Sequence, residues 1–488
     1  MAPRVGESAP PVIRETVFTH KITGHAQDAM KRFLSSLASL ALLCMASIPS
    51  RADQVDDYMR KHMALNHVAG AAVAIVRDGK IIKRQAYGFA NLEWRQKATP
   101  DTAFQLASST KPFTGLLLMR LQEAGRLSLD DSVGKYLPNA PQAWQPITLR
   151  HLADHSSGIP DNVNAGPNAS LDDYVAAAAA LPLSHAPGAS SRYGIAGYTV
   201  LAKVIEVAAG MPYPQALKRY VTAPLKLRAD FDYSSGDPNM RSVDVVPKRA
   251  SIYDWNEGRQ REFRFHFAPL SYDAGGLLAS VDDLAALAVA IDRGKLLRED
   301  SLDAMWTPAR LANGDMNSFA VGWAVREVNG RAAVGHSGGP ALSDILRFTR
   351  ERTTFIVLTN GQKLYPYLAQ GISELFYPPP PVVMPKGIED ERPELSATLR
   401  QVLADAAAGK VDDSNFGEQA RKDFVLAFKS FLLPFVSSLP AVEEFVLLSD
   451  SPKDGGIGRT YRARHGKRAQ TWGFDIDRDG KLRAFGPK

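Results

Sequence analysis

From Ala71 to Arg77 the chain is a short apolar run, Asp78-Gly79 is a two-residue turn signal, and Lys80 to Tyr87 is a second strand-like run. An Asp-Gly pair between two such runs predicts an antiparallel hairpin. Phe113, Leu116, Leu117 and Leu121 then recur at helical spacing, with Gly125 where a helix would stop, so Ser108 to Glu123 is expected to be a buried helix. Residues 128–270 are rich in Pro, Gly, Asn and Asp between helical stretches such as Leu171 to Ala180 and Tyr198 to Ala209, which predicts a mostly helical insertion with long loops. Strand patterns return at Phe319 to Val325, Arg331 to Val334, Ile345 to Phe348 and Thr354 to Leu358, and a helix follows near Leu368 to Phe376. Strands before and after a helical insert predict an α/β fold in which one antiparallel sheet, flanked by helices, is built from both ends of the domain.

Pro378 to Pro381, followed by Pro385 and Pro393, reads as a stiff extended linker over 378–393. Beyond it, 394–488 is expected to be a small α+β unit: helical in pattern from 396 to 435, then strands at Val442 to Leu448, Arg459 to Arg464, Gln470 to Ile476 and Lys481 to Phe485. Asp475, Asp477, Asp479 and Gly480 begin like a calcium loop, but Gly486 stands where that loop needs its glutamate and no flanking helices are visible. The segment is read as a hairpin turn.

Composition narrows the function classes. With 45% hydrophobic and 23% charged residues among 488, the chain is that of an ordinary globular protein. The net charge of +6 includes six basic and three acidic groups in the first 52 residues, which leaves only +3 for the rest. No basic run interleaved with aromatics provides a nucleic-acid footprint. A single cysteine, Cys44, excludes an intrachain disulfide and a CxxC site. Met30-Lys31-Arg32, the 16 apolar-patterned residues from Phe33 to Ile48, and Ser50-Arg51-Ala52 together resemble a secretory signal with its cleavage site. The stretch is shorter than the roughly 20 residues of an uncleaved spanning anchor. The mature chain is therefore expected to start at Asp53, without a membrane span, in an exported compartment such as the bacterial periplasm, with translation beginning at Met30.

Two serines compete as nucleophile. Ser108-Ser-Thr-Lys111 has the form S-x-x-K, a pattern short enough to arise by chance, as Ser132-Val-Gly-Lys135 does in a turn. Ser108 opens a strongly apolar helix, so Lys111 falls on the same face one turn on, within reach of the hydroxyl. Gly335-His336-Ser337-Gly338-Gly339 matches G-x-S-x-G, the nucleophile elbow of α/β-hydrolases, but strand-like runs follow it where an elbow needs a helix. His465 is the sole later histidine, and it lies past the proline linker.

Five segments in order resemble the class C β-lactamase and DD-peptidase family of penicillin-recognising serine hydrolases. They are Leu106 to Thr114 around Ser108 and Lys111, Leu149 to Pro160, Pro187-Gly188 through Tyr193 to Tyr198, Gly275 to Leu284, and His336-Ser337-Gly338. The resemblance implies a serine hydrolase domain over 53–377 in which Ser108 forms an acyl-enzyme and Lys111 with Tyr193 takes its proton. Free lysine and tyrosine both titrate near 10, so whichever acts as base has to be deprotonated by its surroundings. The resemblance further implies an oxyanion hole from the backbone N–H groups of Ser108 and Gly339, with His336, Ser337, Gly338 and residue 195 lining the substrate. No cofactor is expected. The partners are small molecules: esters, D-amino-acid peptides or β-lactams.

Two departures from the family pattern bear on substrate. Its Y-x-N becomes Tyr193-Gly194-Ile195, which removes an amide that would hold the lysine and the substrate. Its K-T-G becomes His336-Ser337-Gly338, and a histidine titrating near 6.5 would bind a carboxylate better as the pH falls. Ester hydrolysis is therefore expected to exceed β-lactam hydrolysis. The alternatives are an α/β-hydrolase-type esterase using Ser337, and a non-catalytic relative that binds cell-wall peptide or a partner protein. His151, His155, His185 and His266 show no metal-ligand spacing and are read as loop or packing residues. N-terminal sequencing of the exported protein checks the leader reading: Asp53 is the expected first residue, and finding residues 1–29 on the mature chain would refute it.

Overall fold

The computed structural model describes residues 51–488 apart from 167–168, 233, 236–241, 265–266, 340–342, 363–367, 454 and 488. The leader with Cys44, and His266, lie outside the described residues.

Helix α1 (Arg51–Leu65) leads into the hairpin of β1 (Gly70–Arg77) and β2 (Lys80–Asn91), with β3 (Gln96–Lys97) at its side. The turn forms as its sequence demands, with Asp78 and Gly79 both at positive φ, 48° and 67°. Four strands from the far end of the domain complete the sheet: β4 (Ala324–Val328), β5 (Arg331–Gly338), β6 (Ser343–Phe348) and β7 (Thr353–Thr359). The order is β4-β5-β6-β7-β1-β2-β3, antiparallel throughout, with β7 pairing β1 across the insertion. Both faces of the central strands are buried, which explains why β1 is a continuous apolar run instead of an alternating one. Ala71, Val73 and Ile75 face a core with Val55 and Met59 of α1 and with α6 (Leu368–Glu374). Ala72, Ala74 and Val76 face the larger core, which holds α2 (Lys111–Glu123). The remaining helices used below are α3 (Ala196–Ala209), α4 (Tyr272–Gly275) and α5 (Val281–Asp292).

The expected antiparallel sheet flanked by helices is present, and the reading needs correction at three places. The first turn of the Ser108 helix is a 3-10 turn, Ala107–Thr110. The strand expected from Phe319 begins at Ala324, because the preceding residues meet α2 at close range: Gly322 takes φ 82°, and a Cβ on Gly115 would lie 2.3 Å from the Val321 carbonyl oxygen. The insertion also contains a hairpin, Ile252–Asn256 with Arg259–Phe263, that the helical reading did not foresee.

The C-terminal residues form their own hydrophobic cluster. Helices α7 (Pro393–Ala407) and α8 (Glu418–Ala427) accompany a four-stranded antiparallel sheet, β8 (Val442–Lys453), β9 (Gly456–His465), β10 (Arg468–Asp477) and β11 (Leu482–Pro487). The aspartate-rich segment is the β10–β11 turn, where the Asp477 carboxylate accepts from the backbone N–H groups of Asp479 and Lys481.

A buried ion pair joins the layers around the large sheet. Asp292, at the end of α5, accepts from Arg347 of β6 at 2.6 Å and from the backbone N–H of Gly79 in the β1–β2 turn at 2.8 Å. Both side chains are almost wholly removed from water. Breaking such a pair strands the remaining charge, a cost of about 3–5 kcal/mol. Asp292→Ala should lower the unfolding free energy by that amount in urea titration, whereas Arg60→Ala, whose pair with Asp57 is exposed, should change it by less than about 1 kcal/mol.

Candidate active site

Ser108 lies in the 3-10 turn that runs straight into α2, half-buried, while its neighbours Ser109 and Thr110 are fully buried. The residue before it, Ala107, is held at φ 47°, in the left-handed region that non-glycine residues seldom adopt. Such strain persists only where the surroundings over-determine it, and here hydrogen bonds do so from two sides. The Leu106 N–H donates to Leu277 O at 2.9 Å, and the Leu277 N–H donates to Thr110 Oγ1 at 3.2 Å. From the sheet, Ser343 Oγ donates to Leu106 O at 2.6 Å and Ser109 Oγ donates to His336 O at 3.0 Å. Gly338 completes the seam, since a Cβ there would sit 2.0 Å from Leu106 O and 3.0 Å from the Ala107 Cβ.

One turn beyond Ser108, Lys111 is 1% exposed. Its Nζ donates to Tyr193 Oη at 2.9 Å and to the Ala274 carbonyl at 3.0 Å, and it lies 4.9 and 5.2 Å from the ring centres of Tyr193 and Tyr198. A buried ammonium needs such partners, because desolvating it alone costs several kcal/mol. Tyr193 bridges inside and outside: its hydroxyl meets the buried lysine, yet the residue is 41% exposed. The structure thus brings Lys111 and Tyr193 together, with Ser108 one turn earlier on the chain.

His155, read from the sequence as a packing residue, belongs to this cluster. At φ 63°, its ring centre lies within 5.0 Å of those of Tyr193, Tyr198 and Phe319, tilted against the two tyrosines and edge-on to the phenylalanine, and its Nδ1 accepts from the Gly194 N–H at 3.4 Å. Burial, then the charge on Lys111, then His336 push its imidazole well below the usual histidine range.

His336 faces the same cluster, 6.0 Å between ring centres from Tyr193. Burial first, and then the Lys111 charge, depress it to about 3. The expectation that it would titrate near neutrality is therefore corrected: the imidazole is neutral across the ordinary pH range and offers no cation to a carboxylate. Ser337 needs a larger correction. It lies inside an antiparallel strand, paired with Asp344 of β6, not at a strand-to-helix elbow. Its Oγ donates to Asp344 Oδ1 at 2.8 Å, and Asp344 Oδ2 accepts from the Ala369 N–H of α6. Ala333 on the same strand parity packs in the α1/α6 core while Val334 packs in the opposite one, so Ser337 points away from the Ser108 face.

Gly339 follows as an exposed turn residue at the end of β5. Ile195 is 46% exposed at the N-cap of α3, and the backbone N–H groups of Ile195 and Ala196 donate to Asp161 Oδ1 at 2.9 and 2.8 Å. An apolar side chain therefore stands at the rim where the family pattern has an amide. Among the described residues no three His, Cys, Asp or Glu side chains gather as a metal site, and no helix is long and apolar enough to cross a membrane.

An antiparallel sheet with helices on both faces and the Ser108 helix laid beneath its β5 strand is the β-lactamase/transpeptidase-like fold. Within that class the chain belongs to the Beta-lactamase family, whose model matches residues 55–372. It is 28% identical over 324 residues to penicillin-binding protein 4* of Bacillus subtilis strain 168, covering 61% of this chain and 69% of that one. It is 30% identical over 184 residues to protein flp of Staphylococcus aureus strain MW2, a match spanning 36% of this chain and only 37% of the relative. Among solved structures, EstCE1, a hydrolase with promiscuous acyltransferase activity, shares the fold at a TM-score of 0.54 and 23% identity, over 64% of this chain and 94% of that one.

The depressed histidine gives a pH prediction. Between about 3 and 6.5 the unfolded chain binds a proton at residue 336 that the native fold refuses, so stability falls as the pH drops through that window. His336→Asn should flatten the loss of unfolding free energy between pH 6.5 and 4 in denaturant titration; an unchanged slope would place the acid sensitivity elsewhere.

Proposed function

We propose that this chain is an exported serine hydrolase that forms an acyl-enzyme on Ser108 and acts on esters in preference to amides and β-lactams. The observation that carries the reading is the hydrogen bond from the buried Lys111 ammonium to the half-exposed Tyr193 hydroxyl, set one helical turn from a half-buried serine. Once the Lys111–Tyr193 pair has given up one proton to solvent, Ser108 Oγ bonds to the substrate carbonyl carbon as its own proton passes to that pair, and the carbonyl electrons move onto oxygen. Two backbone N–H groups, of Ser108 and Gly339, are suited to receive that oxyanion. Collapse expels the leaving alkoxide, which takes up the transferred proton. Water then repeats the cycle on the ester, releasing the acid and restoring Ser108.

Three features support the ester preference. Ile195 cannot hydrogen-bond a substrate amide, and neutral His336 gives a β-lactam carboxylate no charge partner. An amide also needs a better-oriented carbonyl and a proton delivered to nitrogen, whereas an activated ester needs less of both. The fold likeness to EstCE1 fits this reading, and the likeness to penicillin-binding protein 4* keeps cell-wall peptides as the second substrate class.

A fluorophosphonate should label the protein on Ser108, and Ser108→Ala should abolish labelling and lower ester kcat/KM by at least about a thousandfold. Ser337→Ala should keep the adduct on Ser108. No labelling of the unmodified protein would favour a non-catalytic binding role. Ile195→Asn should raise cephalosporin turnover relative to short-chain ester turnover; efficient cephalosporin hydrolysis by the unmodified protein would overturn the ester preference.

A further inference from the structure

Behind Lys111 lies a carboxyl group that the mechanism above does not use. Asp273 is 1% exposed, in the four-residue helix α4, and among the described residues neither of its carboxyl oxygens has a hydrogen-bond partner. An unpaired carboxyl in a protein interior is costly, so its presence calls for an explanation. The backbone around it is tied to the nucleophile helix at two successive residues. Thr114 Oγ1 of α2 donates to the Asp273 carbonyl at 2.6 Å, and the next carbonyl, Ala274, accepts from Lys111 Nζ at 3.0 Å. Lys111 and Thr114 are three residues apart and share one face of α2. The segment that carries the carboxyl is thus the segment that holds the ammonium.

We propose that Asp273 is a positioning residue for Lys111, its buried carboxylate favouring the charged lysine that the Ala274 carbonyl and the Tyr193 hydroxyl bind, so that its ionisation opposes use of Lys111 as a base. This rests on the Ser108–Lys111–Tyr193 reading. The groups that face Asp273 are Lys111 from α2, Glu206 and Tyr198 from α3, Tyr213 from the short helix Tyr213–Leu217 and Tyr174 from the helix Leu171–Ala179. Lys111 is the one cation among them. Burial pushes the Asp273 carboxyl up, the Lys111 charge and then the nearby backbone N–H dipoles of Asp273 and Ala274 pull it part of the way back, and Glu206 adds a smaller upward push, which together leave it at about 7. The carboxyl therefore changes charge in the pH range where the enzyme would work, and each of the two groups biases the other.

Asp273→Asn keeps the shape and removes the charge. If the carboxylate holds Lys111 charged, the rising limb of ester kcat/KM, and of fluorophosphonate labelling of Ser108, should move to lower pH by about one unit, the lower end of what a nearby opposite charge does. Asp273→Ser, which needs less room, should give the same displacement and serves if the asparagine variant folds poorly. A uniform loss of rate with the limb unmoved would reduce Asp273 to a packing residue, and a limb moved upward would reverse the proposed sign; either result overturns the inference. The unmodified protein separates this from failure of the functional reading: if it labels at Ser108 and the variants do not shift, only the Asp273 proposal falls, whereas absence of labelling removes the mechanism itself.

Discussion

Burying one ammonium organises the site. Lys111 is placed by its position on a helix whose residues 111–119 are all buried, so its Nζ cannot reach bulk water and has to be satisfied from within. The Ala274 carbonyl and the Tyr193 hydroxyl supply its hydrogen bonds, and the rings of Tyr193 and Tyr198 cover it. The same charge dictates what its neighbours can be. His155 and His336 both lie close to it, and both are driven toward the neutral form by burial and then by that charge. A second fixed cation in this space would be repelled by the first, so the histidine that replaces the lysine of K-T-G is compatible with deep burial where a charged lysine would need further anionic partners. The consequence for chemistry is a site with one buried cation near the nucleophile and none offered by His336.

Ser108, the proposed nucleophile, depends on a separate constraint, the seam between β5 and the 3-10 turn. Gly338 lets the strand approach the Leu106 carbonyl, Ser109 and Ser343 stitch the two together, and their hydroxyls are joined at 2.8 Å. This seam forces Ala107 into the left-handed region, at a cost of about 1–3 kcal/mol, and leaves Ser108 as the residue of the turn that faces outward. Ser109 and Ser343 are therefore as much a part of the site as the residues that would touch substrate, although their hydroxyls point into the protein.

Much of the fold was legible because its signals are local. The Asp78-Gly79 turn, the helical spacing of Phe113 to Leu121 and the four alternating strands of the C-terminal sheet each follow from short-range rules. Lys111 and Tyr193 were legible as a pair only through the family resemblance, since 82 residues separate them. Features set by contacts between distant segments were not legible. Gly322 breaks the expected strand because α2 passes beside it, and a polar sequence such as Arg259–Phe263 becomes a strand by pairing with Ile252–Asn256. His155 looked like a loop residue because its role comes from a positive φ and three surrounding rings. Asp273 gave no sequence signal at all: its burial depends on α4 being packed among α2, α3 and the Tyr213 helix.

Ser337 shows how a motif can be real in sequence and different in purpose. Its hydroxyl joins β5 to Asp344, the other oxygen of that carboxylate accepts from the backbone N–H of Ala369 in the first turn of α6, and Glu374 at the far end of α6 is ion-paired with Arg468 of the C-terminal sheet. The proline-rich segment is held to that sheet as well, by the Ile388 N–H to Leu447 O and by Asp390 with the buried Arg459. The linker is thus extended but docked, and α6 carries a fixed polar contact at each end. The back face of β5 is secured by this series of bonds while its front face, through Gly338 and the His336 carbonyl, meets the 3-10 turn that carries Ser108. A glycine on either side of Ser337 serves that division: Gly338 admits the nucleophile turn on the front, and a Cβ on Gly335 would meet the Ile345 carbonyl at 2.4 Å on the neighbouring strand. Gly335 and Gly338 are therefore required by packing on two sides of one strand, whereas Gly339, the second glycine of the elbow-like match, is an exposed turn residue.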